Sequence, residues 1–408
     1  MATSNPPGIL SGGGRPAIPR TVWVLGVVSL LMDVSSEMVQ TLLPLYLVSG
    51  LGASAMLVGF VEGFSVAVAT VTKLFSGVLA DWTGRRKPLA VLGYGLGALA
   101  KFAFPLATSV GVVVAAKAVD RVGKGIRGTP RDALIADVTP PELRGASFGL
   151  RKSLDTVGGF VGPLLAIALM LAFSGDVLAV YWVAVVPGVL AVLVLAFGVK
   201  EPERPPARTG AAAPRLADIV RLNRAVWTVI GAASLLTLAR FSEAFLLLKA
   251  EGSGFTPAFV PITMVIMHAV YGATAYPVGR LSDRIGRHGL LLCSLAALIA
   301  AYLVLAFAAS AGLFVLGIVL WGLHMGLSQG LLATLIADAA PSHLRGTAFG
   351  AFNLVTGLLV LFGNVAAGAV WDAHGATATF LLGAALSVLS LFVLGWISRT
   401  GRSGAGRA

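Results

Sequence analysis

The stretch Leu134–Gly149, LIADVTPPELRGASFG, returns as Leu335–Gly350, LIADAAPSHLRGTAFG, identical at 10 of 16 positions with a constant offset of 201. A second pair, Gly77–Arg86 (GVLADWTGRR) and Gly279–His288 (GRLSDRIGRH), repeats at an offset of 202. Two landmarks in one order in each half mean that one hydrophobic unit is written twice. The apolar class makes up 57% of 408 residues and charged residues 12%, with a mean hydropathy of +0.89; soluble domains have about 45–50% and about 25%. Twelve apolar runs, at approximately 22–48, 56–79, 88–108, 111–136, 147–173, 177–198, 226–248, 258–279, 289–309, 311–337, 347–371 and 377–397, have 20 or more residues each. At 1.5 Å per helical residue each crosses a hydrocarbon core of about 30 Å.

Backbone groups in lipid must bond within their own segment, and the abundant Gly and Ala favour close helix contact over barrel strands. The reading is an all-α membrane protein of 12 transmembrane helices in two pseudo-symmetric six-helix bundles. Residues 1–20 form a disordered tail, 21–199 the first bundle, 200–224 a linker containing the Pro- and Ala-rich Glu201–Pro214, 225–398 the second bundle and 399–408 a second tail. The first apolar run is too long for a signal peptide, and nothing suggests cleavage.

The net charge of +12 does not point to nucleic acid, because it gathers in alternate loops. Basic residues sit at Arg15 and Arg20, Arg85–Lys87, Arg144, the linker, Arg280–Arg287, Arg345 and Arg399–Arg407, while the intervening loops have almost none. The positive-inside rule then makes those loops and both termini cytoplasmic, in a multi-pass plasma-membrane protein.

Six plus six helices, a long central linker and Gly77-x-x-x-Asp81-x-x-Gly84-Arg85-Arg86, matched by Gly279, Asp283, Gly286 and Arg287, resemble the major facilitator superfamily of secondary transporters. The resemblance implies that Asp81 and Arg85 belong to a conformational gate, a latch of carboxylate, helix end and guanidinium that breaks when the halves rock. Arg121 and Gly125 sit where the family's fourth-helix motif places an Arg tied to proton coupling. Gly149, Gly158, Gly162 and Pro163 resemble its antiporter-associated fifth-helix motif, although Ala166 and Ile167 replace the usual Gly-Gly and generic packing would use the same glycines. The second copy keeps Gly350 and Gly363 but has Leu359 and Asn364 for Gly158 and Pro163.

Residues charged in one copy only ask for a reason beyond scaffold. Span four carries Lys117, Asp120, Arg121, Lys124, Arg127, Arg131 and Asp132, aligned with the uncharged Ile318, Trp321, Gly322, Met325, Ser328, Leu332 and Ala333. At 100° per residue the seven fall within an arc of about 140°. Charges at bilayer depth cost roughly 2.5–3.5 kcal/mol each, so such a stripe should face a cavity or paired partners. Lys117, Arg121, Lys124 and Arg127, with Trp321 and Met325 as an apolar wall opposite, are the substrate-binding candidates. Asp33 and Glu37, one turn apart in span one, are the proton-coupling candidates with Arg121, Asp33 first among them and Glu62 and Asp155 weaker; permanent pairing of Asp33 with Lys73, Lys101 or Arg121 is the alternative. Arg240 and Glu243 of span seven are spaced to neutralise one another, and His268 and His324, which could titrate near neutrality, read more readily as hydrogen-bonded packing residues.

Gly123–Gly128 matches G-x-G-x-x-G, but no strand precedes it and it lies within a span; nor does Ser or Thr follow Lys124 as a Walker loop needs. A lone cysteine, Cys293, excludes an intrachain disulfide and cysteine metal clusters. No cofactor, metal or enzymatic chemistry is expected; the partners are a small molecule, protons and lipid, and the chain is expected to be a monomer. The functional expectation is a proton-coupled antiporter exporting a small amphiphilic or anionic organic compound by alternating access, with proton symport of an organic anion and a non-transporting receptor or assembly factor as alternatives.

Overall fold

A computed structural model describes residues 17–83, 85–201, 222–285, 287–328, 331–341 and 344–405. Among them the chain is helical, with α1 Arg20–Leu45, α2 Ala55–Thr83, α3 Arg86–Ala103, α4 Val110–Val138, α5 Arg144–Ala172 and α6 Val177–Gly198 in the first half. The second half holds α7 Arg224–Ala239, α8 Ala244–Glu251, α9 Ile262–Ile285, α10 Arg287–Ala306, α11 Ala311–Ser328, α12 Leu331–Ala339 and α13 Arg345–Ala405. Nine described stretches are long and apolar enough to cross a membrane. The final stretch turns at Gly375, whose φ of 82° only glycine adopts freely, so α13 is two helical segments joined at a turn. With the charge-bearing α3 and α4, this segmentation accommodates twelve crossings.

Local chemistry explains the ends. Asp176 accepts from the amides of Leu178 and Ala179 to start α6, and Asn223 accepts from Val226 to start α7. Glu201, just past α6, reaches back to the amides of Arg86 and Lys87 and so caps α3. The seventh span departs from expectation. Apolar residues run through 226–248, yet Arg240 is extended and separates α7 from α8. The freed backbone groups are not orphaned: Tyr302 donates to the Ala239 carbonyl at 2.6 Å and accepts from Phe241 N–H at 3.1 Å, while Asn364 accepts from Ser242 N–H at 2.7 Å. Such a break is stable in a membrane only because partners of this kind are present.

The halves meet chiefly where α2 lies along α13 and α5 along α9. A Cβ on Gly59 would stand 2.1 Å from the Asn364 carbonyl oxygen, and one on Gly368 would stand 2.3 Å from that of Ala55. Glycine is therefore required for this backbone approach. At the start of α2, remote from the basic loops, Asp372 accepts from Ala55 N–H at 2.8 Å and Met56 N–H at 2.9 Å. The carboxylate of one half thus caps a helix of the other and seals that end of the bundle. At the offset of 201 Asp372 corresponds to Leu171, so the seam of α5 with α9 has no counterpart.

Losing such a cap costs about 1 kcal/mol, about a five-fold change in the sealed population. In a Cys293→Ser background, Asp372→Ala should raise by that factor the rate at which a membrane-impermeant thiol reagent labels Ala55→Cys, a position 5% exposed in the sealed form. An unchanged rate would place the seal elsewhere.

Candidate functional site

Three cavities run through the middle of the molecule on the basic-loop side of the seal. A chamber of about 510 Å³ against the first half is lined by Asp33, Glu37, Lys73, Lys124, Arg131, Asp155, His268 and Tyr271. A neck of about 170 Å³ shares Glu37 and His268 with it and adds Gln40, Glu62, Glu243, Met264 and Met325. A second chamber of about 460 Å³ shares Gln40, Glu62 and Glu243 with the neck and adds Arg240, Phe241, Phe352 and Asn364. The shared lining makes them one passage between the halves.

The charges of α4 divide between protein and passage. Lys117 donates to Glu62 at 2.9 Å, with both buried, and Lys101 donates to Asp120 at 2.8 Å. Arg121 donates to Gln40 at 2.6 Å and lies 3.5 Å from Asp120; Gln40 in turn donates to Glu62 at 3.3 Å. Arg127 is 5% exposed, its guanidinium 4.7 Å from the centre of the Tyr94 ring. Arg131 pairs with Asp132 at 3.0 Å and also reaches Ser29. Lys124 is exposed into the chamber. Among the described residues Lys124, Asp33 and Glu37 enter no ion pair, whereas Asp155 pairs with Arg151 at 3.0 Å.

The glycines of α5 explain how α1 is placed. A Cβ on Gly158 would stand 2.9 Å from the Asp33 Cβ, and one on Gly162 2.6 Å from the Glu37 Cβ. Those two glycines let α5 close on the turns of α1 that carry the carboxylates, and Pro163 follows inside the same helix. Gly149 meets nothing within 4 Å. Of the apolar wall, Met325 reaches the neck, while Trp321 is 1% exposed and packs edge-on to Tyr302. Of the loop motifs, Arg85 is exposed and Arg86 binds Asp137 and the Ala133 carbonyl. Gly77, Asp81, Gly84, Gly279, Asp283, Gly286 and Arg287 lie outside the residues whose side chains are described.

The part that three groups play in the passage was not read from the chain. Gln40 bridges Arg121 and Glu62, and a lone polar residue in an apolar span was the available signal. His268, whose Nδ1 lies 2.9 Å from the Met264 carbonyl oxygen, lines both first chamber and neck. Arg240 and Glu243 share the second chamber, but among the described residues no ion pair joins them.

Comparison with known proteins accords with this geometry. The family profile described as Major Facilitator Superfamily matches residues 25–364 and 245–407. An uncharacterised MFS-type transporter of Methanocaldococcus jannaschii is 30% identical over 383 residues, 92% of this chain and 94% of its own. A multidrug resistance protein, MdtL of Escherichia coli, is 26% identical, covering 69% of this chain and 72% of its own. Among solved structures, the nucleoside transporter NupG superposes with a TM-score of 0.76 at 16% identity, covering 92% of this chain and 98% of its own.

Removing one partner of a buried pair leaves the other charge uncompensated, at about 3–5 kcal/mol, while replacing both with apolar residues is close to neutral. Asp120→Asn should lower the melting temperature of the purified protein, and the double change Lys101→Met with Asp120→Leu should restore most of it. Equal melting of Asp120→Asn and the unaltered protein would show that Lys101 finds another partner.

Proposed function

The chain belongs to the major facilitator superfamily, a family of multi-pass membrane transporters of small molecules rather than enzymes, and from that premise we propose that it is a proton-coupled antiporter exporting a small amphiphilic or anionic organic compound. The basic loops and both termini face the cytoplasm in this reading. The end sealed by Asp372 is then extracellular, and the passage is the inward-facing one.

The observation that carries coupling is the pair Asp33 and Glu37, one turn apart, without an ion pair among the described residues, and lining the same chamber as Lys124. A proton held on either carboxylate changes the charge of the passage, and an approach or retreat of α4 changes the distance from Lys124 to those carboxylates. Export is supported by the likeness of α5 to the antiporter motif and by relatives that carry the name multidrug resistance protein. In this reading Lys124, Arg127, Lys117 and Arg121 set the field of the substrate site, with Lys124 and Arg127 lining its chamber and Lys117 and Arg121 held by Glu62 and Gln40.

Symport has its own support. An anion that takes Lys124 removes a counter-charge from Asp33 and Glu37 and so favours proton uptake; binding of the two is then mutually reinforcing. Everted vesicles with an acid interior separate the readings, since an antiporter accumulates substrate there and a symporter does not. Asp33→Asn should abolish that accumulation while leaving exchange of labelled for unlabelled substrate, which needs no net proton movement. Gradient-driven accumulation at the unaltered rate would remove Asp33 from the coupling step.

A further inference from the structure

We propose that Arg240 and Glu243 together form a charge-paired subsite for an amphoteric substrate, taking its carboxylate on the guanidinium and its ammonium on the glutamate, with the apolar body against Phe241 and Phe352. The inference rests on the transporter reading and names the substrate class of its passage. Both residues lie at the interruption of the seventh span and both line the 460 Å³ chamber. One turn apart on a continuous helix they could neutralise each other. The interruption prevents this: Arg240 ends α7 in an extended conformation, while Glu243 stands at the head of α8.

Arg240 is exposed into the chamber and, among the described residues, neither it nor Glu243 enters an ion pair. That sets them apart from Lys101, Lys117 and Arg121, each of which has an acidic neighbour within 3.5 Å. Charged groups at membrane depth face partners or a wet cavity and mark substrate paths. A ligand bearing both signs of charge satisfies both residues at once, and a guanidinium presents the two parallel donors that a carboxylate matches. The arrangement is fixed in advance by Tyr302 and Asn364, which hold the backbone on either side of the break. It also belongs to the second half alone. At offsets of 201 and 202 the residues matching Arg240 are Val39 and Met38, both buried and apolar.

Glu243 also lines the neck, beside Glu37. An ammonium lodged there meets the carboxylate assigned to the proton, so substrate and proton compete, which is the sign an exchanger needs. The carboxylate at Arg240, in the other chamber, leaves Lys124 to Asp33 and Glu37.

The test uses three probes with the same ring: L-phenylalanine, 3-phenylpropionate and 2-phenylethylamine, titrated by calorimetry into the purified full-length chain without a proton gradient. The unaltered protein should bind the amino acid about ten-fold more tightly than either singly charged probe, the discrimination expected from one charged hydrogen bond. Arg240→Gln should abolish the preference for the amino acid over the amine, and Glu243→Gln the preference over the propionate. A folding defect would weaken all three probes together, whereas an exchange of rank order has no such explanation. Equal loss of all probes in both variants, no preference in the unaltered protein, or no binding of any probe would overturn the proposal. Loss of gradient-driven transport in vesicles with this rank order intact would instead strike the coupling reading.

Discussion

A helix with seven charged side chains can lie at bilayer depth only if most of them are neutralised inside the protein, and the rest of the molecule is arranged around that constraint. Lys117 finds Glu62 on α2, and Asp120 finds Lys101 on α3. Arg127 lies over Tyr94, and Arg121 is held by Gln40 of α1. These contacts tie α4 to α1, α2 and α3, and so fix the wall from which Lys124 projects. Two charges bonded in place also leave the helix no freedom to rotate its stripe toward lipid, because each partner is itself buried.

The two halves share a scaffold and divide the chemistry. In the first, charge is concentrated on α4 and much of it is consumed by internal pairs, while Asp33, Glu37 and Lys124, with Lys73 and Lys152 of the neighbouring helices, line the chamber without an ion pair among the described residues. In the second, α11 is apolar where α4 is charged, and the polar groups come from the break between α7 and α8. The seams differ as well. Along α2 and α13 glycines bring backbones into contact and Asp372 caps the end, whereas α5 and α9 meet through side chains, with Gly159 3.8 Å from His268 by its added Cβ. The two sides of the interface are therefore held by different chemistry.

The sequence by itself determined the class of structure. Apolar runs longer than a bilayer core, written twice with their loop motifs, leave few alternatives to paired helical bundles, because lipid offers the backbone no other partner. It also marked the unmatched charges of α4, the carboxylates of α1 and the glycines of α5, since comparison of the two copies isolates residues that scaffold alone does not need. Only the tertiary structure decided which of those groups touch the passage. Periodicity gives the face of a helix but not what stands opposite it, so Lys117 and Lys124, on one stripe, end in an ion pair and in a cavity respectively. It likewise could not show that Gly158 and Gly162 close on Asp33 and Glu37. Nor was the break at Arg240 legible, for no glycine or proline occurs in TLARFSEAF; its cause is Tyr302 and Asn364, residues 61 and 122 positions away in the chain from the amides they hold.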